Sequence, residues 1–417
     1  MSTALRTESF TQPRVGWGFV LLYAAAYVGT WLALLTPIMV TLALKVQELA
    51  HDGAASALSL VLSAGALFAL FGNPICGRLS DLTASRWGMR RPWLIAGAIG
   101  GLVSLWVVAM APSIGWVLIG WCLVQLSFNA VLAPLAALLP DQVPLADRGT
   151  VAGVVSICTC LGQMAGTGLT NLTSVSIVAM FLVPGVVGVS AILLLAVTLP
   201  DRRLQPEQRA PFHWRDLVQA TWISPLRHRD FACIWAGRFF LMIGMSFLLA
   251  YQPFYLMSQL HVATADVPDI VFKSTVVQGV AAFIAGIVSG KVSDVTGRRK
   301  PFVIWAAALY GFGALIIALS HTFAPFFIGM ALTGLGLGTY LAVDLALITD
   351  VLPNKERDAA KDLGVFNMAS TLPQIVAPAS AAVILGLSGG SYAAIFVTIA
   401  IAGVLGALVI VPVKGAR

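Results

Sequence analysis

Two charged side chains stand deep in apolar sequence. Arg238 lies within IWAGRFFLMIGMS and Asp344 within TYLAVDLALITD. A charge at the centre of a membrane-spanning helix costs about 2.5–3.5 kcal/mol on insertion scales, so it needs a partner or a watery cavity. At 1.5 Å per residue each lies roughly 10 Å from the nearest polar boundary, so the two stand at matching depth. Asp344 can take and release a proton there, and Arg238 can compete for it. Both are candidate proton-coupling residues, and the plainer alternative is a static ion pair that fixes the fold.

A second constellation is charged and repeated. Gly72 to Pro92 reads GNPICGRLSDLTASRWGMRRP, and Gly286 to Pro301 reads GIVSGKVSDVTGRRKP. By residue type, Gly77, Ser80, Asp81, Gly88, Arg90, Arg91 and Pro92 match Gly290, Ser293, Asp294, Gly297, Arg298, Arg299 and Pro301. A carboxylate at a helix end can dock on the positive N-terminus of a neighbouring helix. Asp81 and Asp294 are read in that role, against the other half of the chain, with Arg90, Arg91, Arg298 and Arg299 closing a charge network. The bland alternative is simple anchoring of basic loops. The repeat runs further: one offset of 209 residues relates Asp141 to Asp350, Pro144 to Pro353, Arg148 to Arg357 and Pro92 to Pro301. Arg148 and Arg357 therefore join the candidate gating set.

These residues must be positioned by membrane helices. Apolar residues make up 59% of the 417 and charged residues 10%, against about 25% charged in a soluble domain. Mean hydropathy is +0.90. The length holds about twelve spans of ~20 residues with short loops. Span 1 is read over 17–44, with Lys45, Glu48, His51 and Asp52 in the loop beyond it; span 7 over 231–257, and span 11 over 361–386. The net charge of +7 is not a nucleic-acid footprint, because 22 of the 25 Lys and Arg fall in the tails and in alternate loops. That alternation is the positive-inside pattern and places both termini in the cytoplasm. The segment 200–229 is the long polar stretch and reads as a linker, with Trp214 to Trp222 suited to a short surface helix. The expected domains are 1–199, 200–229 and 230–417. The fold class is all-α: two parallel six-helix repeats about an axis along the membrane normal.

Amides and rings inside spans supply the remaining chemistry. Asn73, Gln125, Asn129, Gln163, Gln252, Gln278, Asn367 and Gln374 suit a polar, uncharged ligand, and Tyr27, Trp31, Phe128, Tyr251 and Tyr340 can stack on one. Gln125, Asn129, Gln163, Tyr27, Tyr251, Gln278, Tyr340, Asn367 and Gln374 are the candidate substrate-binding residues. For any one of them, a hydrogen bond between helices is the competing explanation, worth about 0.6 kcal/mol on average. The five cysteines sit in or near spans and the five histidines at loops or helix ends, so neither a disulfide framework nor a metal site is expected. No metalloprotease, phosphate-loop or nucleophile-elbow motif appears. The polar N-terminal tail reads as lacking a removable signal.

These features together resemble the major facilitator superfamily: six plus six helices, a central linker and the repeated latch. Within it, Ser80 to Pro92, Asn129 to Asp141, and Leu363 to Asn367 with Pro373-Gln374 are similar to stretches of the sucrose carriers and their glycoside-transporting relatives. Gln125 falls where that branch carries an acid. The resemblance implies that spans 1, 4, 5, 7, 8, 10 and 11 face a central cavity. It also implies a non-enzymatic secondary transporter working by alternating access on a small polar solute, a sugar or glycoside first. Protons are a candidate coupling partner, and no cofactor and no nucleic acid are expected. A monomer in the lipid bilayer of the cell membrane is the expected setting. The alternatives are an efflux carrier for drugs or lipids, and a receptor or scaffold that does not transport.

Overall fold

The computed structural model describes residues 16–145, 147–201, 228–351 and 359–413. Among these, twelve helices are long and apolar enough to cross a membrane. They are α1 (Trp17–Ala50), α2 (Ala54–Asp81), α3 (Arg91–Ala109), α4 (Ile114–Gln142), α5 (Arg148–Leu172) and α6 (Ile177–Thr198). Then come α7 (Arg229–Gln259), α8 (Val267–Thr296), α9 (Lys300–Ala318), α10 (Phe323–Val351), α11 (Ala359–Thr371 and Pro373–Leu387) and α12 (Tyr392–Ile410). No strand occurs among the described residues. The expected surface helix near Trp214, together with Pro353 and Arg357, lies outside them.

Helices of nearly uniform hydrophobicity gain little by burying one face, so association rests on close packing of small residues. Gly29 of α1 and Gly188 of α6 face each other: a Cβ on Gly29 would sit 2.6 Å from the carbonyl oxygen of Gly188. Gly403 of α12 meets Gly311 of α9 in the same way, with a Cβ 2.7 Å from the Gly311 Cα.

Two helices depart from the sequence reading, and proline explains both. Helix α1 does not end at Leu44. Pro37 has no N–H to give, and the chain bridges it with a π turn, Pro37–Thr41, in which the Leu42 N–H bonds to the Pro37 carbonyl. The helix then runs on to Ala50, so Lys45 is buried in the helix and pairs with Glu48 at 3.6 Å, one turn on, instead of forming a loop. Helix α11 is interrupted at Leu372, just before Pro373.

The repeated latch lies between α2 and α3 and between α8 and α9. Both loops turn through a left-handed glycine, Gly88 at φ +105° and Gly297 at φ +63°, a region open to glycine at no steric cost. Arg90 is the N-cap of α3 and Arg299 the N-cap of α9. This register pairs Arg90 with Arg299 and Arg91 with Lys300. It corrects the match by residue type, which set Arg90 against Arg298 and Arg91 against Arg299. Both loops have the same length from glycine to proline, so position in the helix decides the pairing.

The latch end of the helices defines one side of the molecule. Towards the opposite, far side the first six helices meet the last six through α2 and α11, α5 and α8, and the far end of α1 and α7. Ser59 Oγ and Tyr251 OH are 2.7 Å apart, Ser63 Oγ donates to the Ile375 carbonyl at 3.3 Å, and Asn171 Nδ2 donates to Asp269 Oδ1 at 3.3 Å. On the latch side of these contacts, Asn73 of α2 and Asn367 of α11 are exposed.

Candidate functional site

Arg238 reaches from α7 into the space between α10 and α11. Its Nη1 meets Asp344 Oδ2, and its Nε donates to Ser370 Oγ at 2.7 Å. The guanidinium carbon sits 4.6 Å from the centre of the Phe366 ring, a cation–π geometry. Trp235, one turn before Arg238, donates from Nε1 to the Val365 carbonyl at 2.9 Å and holds α7 to α11 at this level. Asp344 is 1% exposed, and its Oδ1 has no hydrogen-bond partner among the described residues. The hydroxyl of Tyr340, one turn earlier on α10, is also buried with no hydrogen-bond partner among the described residues. An unmade bond on a buried polar group costs about 1–3 kcal/mol. Oδ1 is therefore an open acceptor at the centre of the site.

The other expected ligand residues separate into two groups. Asn367 and Gln374 are exposed on α11, Gln374 donating to the Ser370 carbonyl at 3.3 Å. Gln163 is half-buried on α5. The remainder are buried in the helix packing. Tyr27 is buried, its ring edge-on to Tyr23 at 5.1 Å, and Tyr23 OH donates to the Leu135 carbonyl at 2.8 Å. Gln278 is buried and donates to Thr333 Oγ1 at 3.2 Å. Tyr251 is buried on Ser59. Gln125 is buried beside Gly65 of α2, and its carbonyl accepts from Asn129 Nδ2 at 2.8 Å. Asn129 Oδ1 in turn accepts from Asn73 Nδ2 at 3.0 Å.

The first latch is a closed network within α2–α6. Arg90, 5% exposed, bridges Asp81 at 2.6 Å and Asp141 at 3.0 Å, and also binds Ser80 Oγ. Asp81 thus meets an arginine of its own half here. Arg148 caps the end of α4, donating to the Pro140 carbonyl at 2.9 Å and the Val143 carbonyl at 3.0 Å. In the second latch Asp294 and Arg298 are exposed, and Arg299 caps α9. Arg357 lies outside the described residues.

Sequence reasoning missed Asp201. One of its carboxylate oxygens accepts the backbone N–H groups of both Arg90 and Arg91 at 2.7 Å, and its side chain lies against Gly88. It was hidden by its place in a polar segment read as linker. Ser370 was missed because a serine in an apolar helix carries no signal. Ser59 was missed for the same reason.

Comparison with known proteins agrees with this architecture. A family model described as Major Facilitator Superfamily matches residues 19–272 and 234–416. The sucrose transport protein SUC4 of Arabidopsis thaliana is 30% identical over 153 residues, 32% of this chain and 28% of that protein. The multidrug resistance protein MdtL of Escherichia coli is 35% identical over 121 residues, 29% of this chain and 27% of that protein. The matches thus span little more than a quarter of the length of these curated relatives. In fold, the chain is similar to the crystal structure of the nucleoside transporter NupG, with TM-score 0.73 and 13% identity over 95% of this chain and 99% of that one. It is similar to the D-xylose-proton symporter with TM-score 0.70 and 15% identity, over 96% and 100%. With the family model matching nearly the whole chain, and twelve helices in the arrangement of these structures, the chain belongs to the Major Facilitator Superfamily.

Proposed function

We propose that the chain is a secondary active transporter that moves a small polar solute, a sugar or glycoside first, across the cell membrane by alternating access. Residues 1–199 and 230–417 act as two six-helix bundles joined by the 200–229 linker, with both chain ends in the cytoplasm. The observation that carries the reading is the half-satisfied ion pair. Asp344 is buried in its span with one oxygen on Arg238 and, among the described residues, no partner for the other. A pair kept only for stability gains from satisfying every buried atom, because each bare one is costly. Here a proton on the free oxygen weakens the hold on Arg238, whose guanidinium keeps Ser370 and Phe366 and gains a free edge for solute. Proton binding and the ion pair then oppose each other, which links protonation to conformation.

Two further points support a neutral solute. Helices α2, α4 and α5 carry no charged side chain between their end turns. Exposed amides stand on α2 and α11: Asn73, Asn367 and Gln374. The side-chain bonds between the halves among the described residues lie on the far side, and on our reading the cleft between the halves opens toward the latch side, the cytoplasm by the positive-inside reading. A second reading, drug export, draws on the likeness to MdtL.

The test is uptake by purified protein in vesicles under an imposed pH gradient, with labelled sucrose, D-xylose, uridine and the cationic dye ethidium. The reading expects gradient-dependent accumulation of at least one neutral solute. Movement of ethidium alone would replace it with drug export.

A further inference from the structure

The only amide-to-amide bond described within the first six helices joins α2 to α4. Asn73 Nδ2 donates to Asn129 Oδ1 at 3.0 Å, and Asn129 Nδ2 donates to the Gln125 carbonyl at 2.8 Å. Asn129 is 5% exposed, and its amide engages its oxygen and one N–H in these two bonds. Asn73 is exposed and keeps its own carbonyl oxygen and one N–H.

The helix face decides where Asn73 points. With 3.6 residues per turn, Gly65 and Gly72 lie on the side of α2 that meets α4, and Ser59 and Ser63 on the side that meets the last six helices. Asn73 falls between those two sides. The exposed apolar stripe Leu60, Leu67 and Phe71 lies around the other side of the helix. Asn73 is therefore turned to the cleft and away from lipid.

Depth brings it level with α11. Ser63 touches Ile375. Asn73 lies further along α2 toward the latch side by roughly 15 Å, and Asn367 further along α11 toward the same side by roughly 12 Å, at 1.5 Å per residue. Asn367 is exposed as well. Arg238 binds Ser370, less than one turn from Asn367. The two amides thus face each other across the cleft, in the layer of the ion pair.

We propose that Asn73 binds the solute from the first six helices, and that Asn129 is a positioning residue that holds the Asn73 amide in place. This moves Asn129 from the ligand set to a supporting role. A free carbonyl beside a free N–H takes a group that donates and accepts at once, so the ligand group is a neutral hydroxyl or amide. A cation or anion would find no countercharge on α2 or α4 at this depth. The proposal rests on the reading of the chain as a carrier of a small polar solute.

Two measurements on the full-length protein in vesicles test it. In the first, Asn73→Cys is labelled from the aqueous phase with a small charged thiosulfonate, with the wild type as control because its nearby Cys76 is buried. Rapid labelling of the variant alone is expected, and no labelling overturns the placement of Asn73 in the cleft. In the second, half-saturation is compared for sucrose, D-xylose and uridine. Asn73→Leu and Asn129→Leu should each raise it about tenfold, the value of one or two lost hydrogen bonds. The double variant should be no worse than either single one. Asn129→Asp, which keeps an acceptor for Asn73, should restore most of the loss. An additive loss of about a hundredfold in the double variant, with no rescue by Asn129→Asp, overturns the positioning role. Uptake of none of the three solutes by the wild type overturns the neutral-solute assignment, while the labelling result still judges the placement.

Discussion

Arg91 and Lys300 hold the same place in the two repeats and make the same kind of contact. Arg91 opens α3 and donates from Nη2 to the Leu199 carbonyl just past α6. Lys300 opens α9 and donates from Nζ to the Val411 and Val413 carbonyls, just past α12, at 2.6 and 2.7 Å. Each cation meets the negative end of a helix and satisfies carbonyls that have no partner within it. In both halves, then, the third helix of the repeat is tied to the sixth beside the latch. Charge-assisted bonds of this kind contribute about 1.5–3 kcal/mol before solvent screening, and Lys300 is only partly buried. Lys300→Met should lower the thermal midpoint by a few degrees, and Lys300→Arg should restore it. A midpoint unchanged in Lys300→Met would show that the tie contributes nothing.

The first latch should matter more than the second. Arg90 is nearly buried and bridges two carboxylates, Asp81 and Asp141, whereas Asp294 is exposed. Asp81→Asn should abolish solute cycling while leaving expression and folding intact, and Asp294→Asn should reduce it less. Initial uptake rates at matched protein levels decide this. Full transport by Asp81→Asn would remove the latch from the mechanism.

Sodium should not drive transport. Hard cations need several oxygen ligands, carboxylates foremost among them, and α2 holds no acid before its final residue, Asp81. Uptake in vesicles with a sodium gradient and no pH gradient should equal that with no gradient at all. Accumulation under sodium alone would contradict it.

The far-side closure should yield to small changes at Tyr251. Its hydroxyl on Ser59 is a buried bond between the two halves, and a neutral hydrogen bond contributes about 1 kcal/mol net. Tyr251→Phe should shift the balance toward the far-side-open form about fivefold. Spin labels at the exposed Val175 and Ala265 report the far-side separation, and longer distances should gain population. An unchanged distance distribution would assign Tyr251 to packing alone.

How much of this was legible in the sequence depended on how rare each signal is. Twelve spans and the repeat were readable because charge is scarce in the chain, so each charged loop stands out. Arg238 and Asp344 were readable for the same reason, and the structure pairs them. Roles that depend on a distant partner were not readable. Tyr251 was recognisable as a polar ring in a span, but its partner Ser59 is 192 residues away. Asn129 was recognisable as an amide, but not as the support of Asn73. Lys300 was passed over because matching by residue type favours arginine with arginine, whereas helix register pairs it with Arg91.

The central claim is that Asp344 carries the coupled proton, and one measurement reaches it most directly. Wild type and Asp344→Asn are placed in vesicles, and pH-driven accumulation is compared with solute exchange without a gradient. Breaking a buried pair costs about 3–5 kcal/mol, so the swapped variant Arg238→Asp with Asp344→Arg serves as a control for folding. The account predicts that Asp344→Asn is expressed, loses accumulation and keeps exchange, whereas a purely structural pair would lose expression in each single variant and regain it in the swap. Full pH-driven accumulation by Asp344→Asn would contradict it.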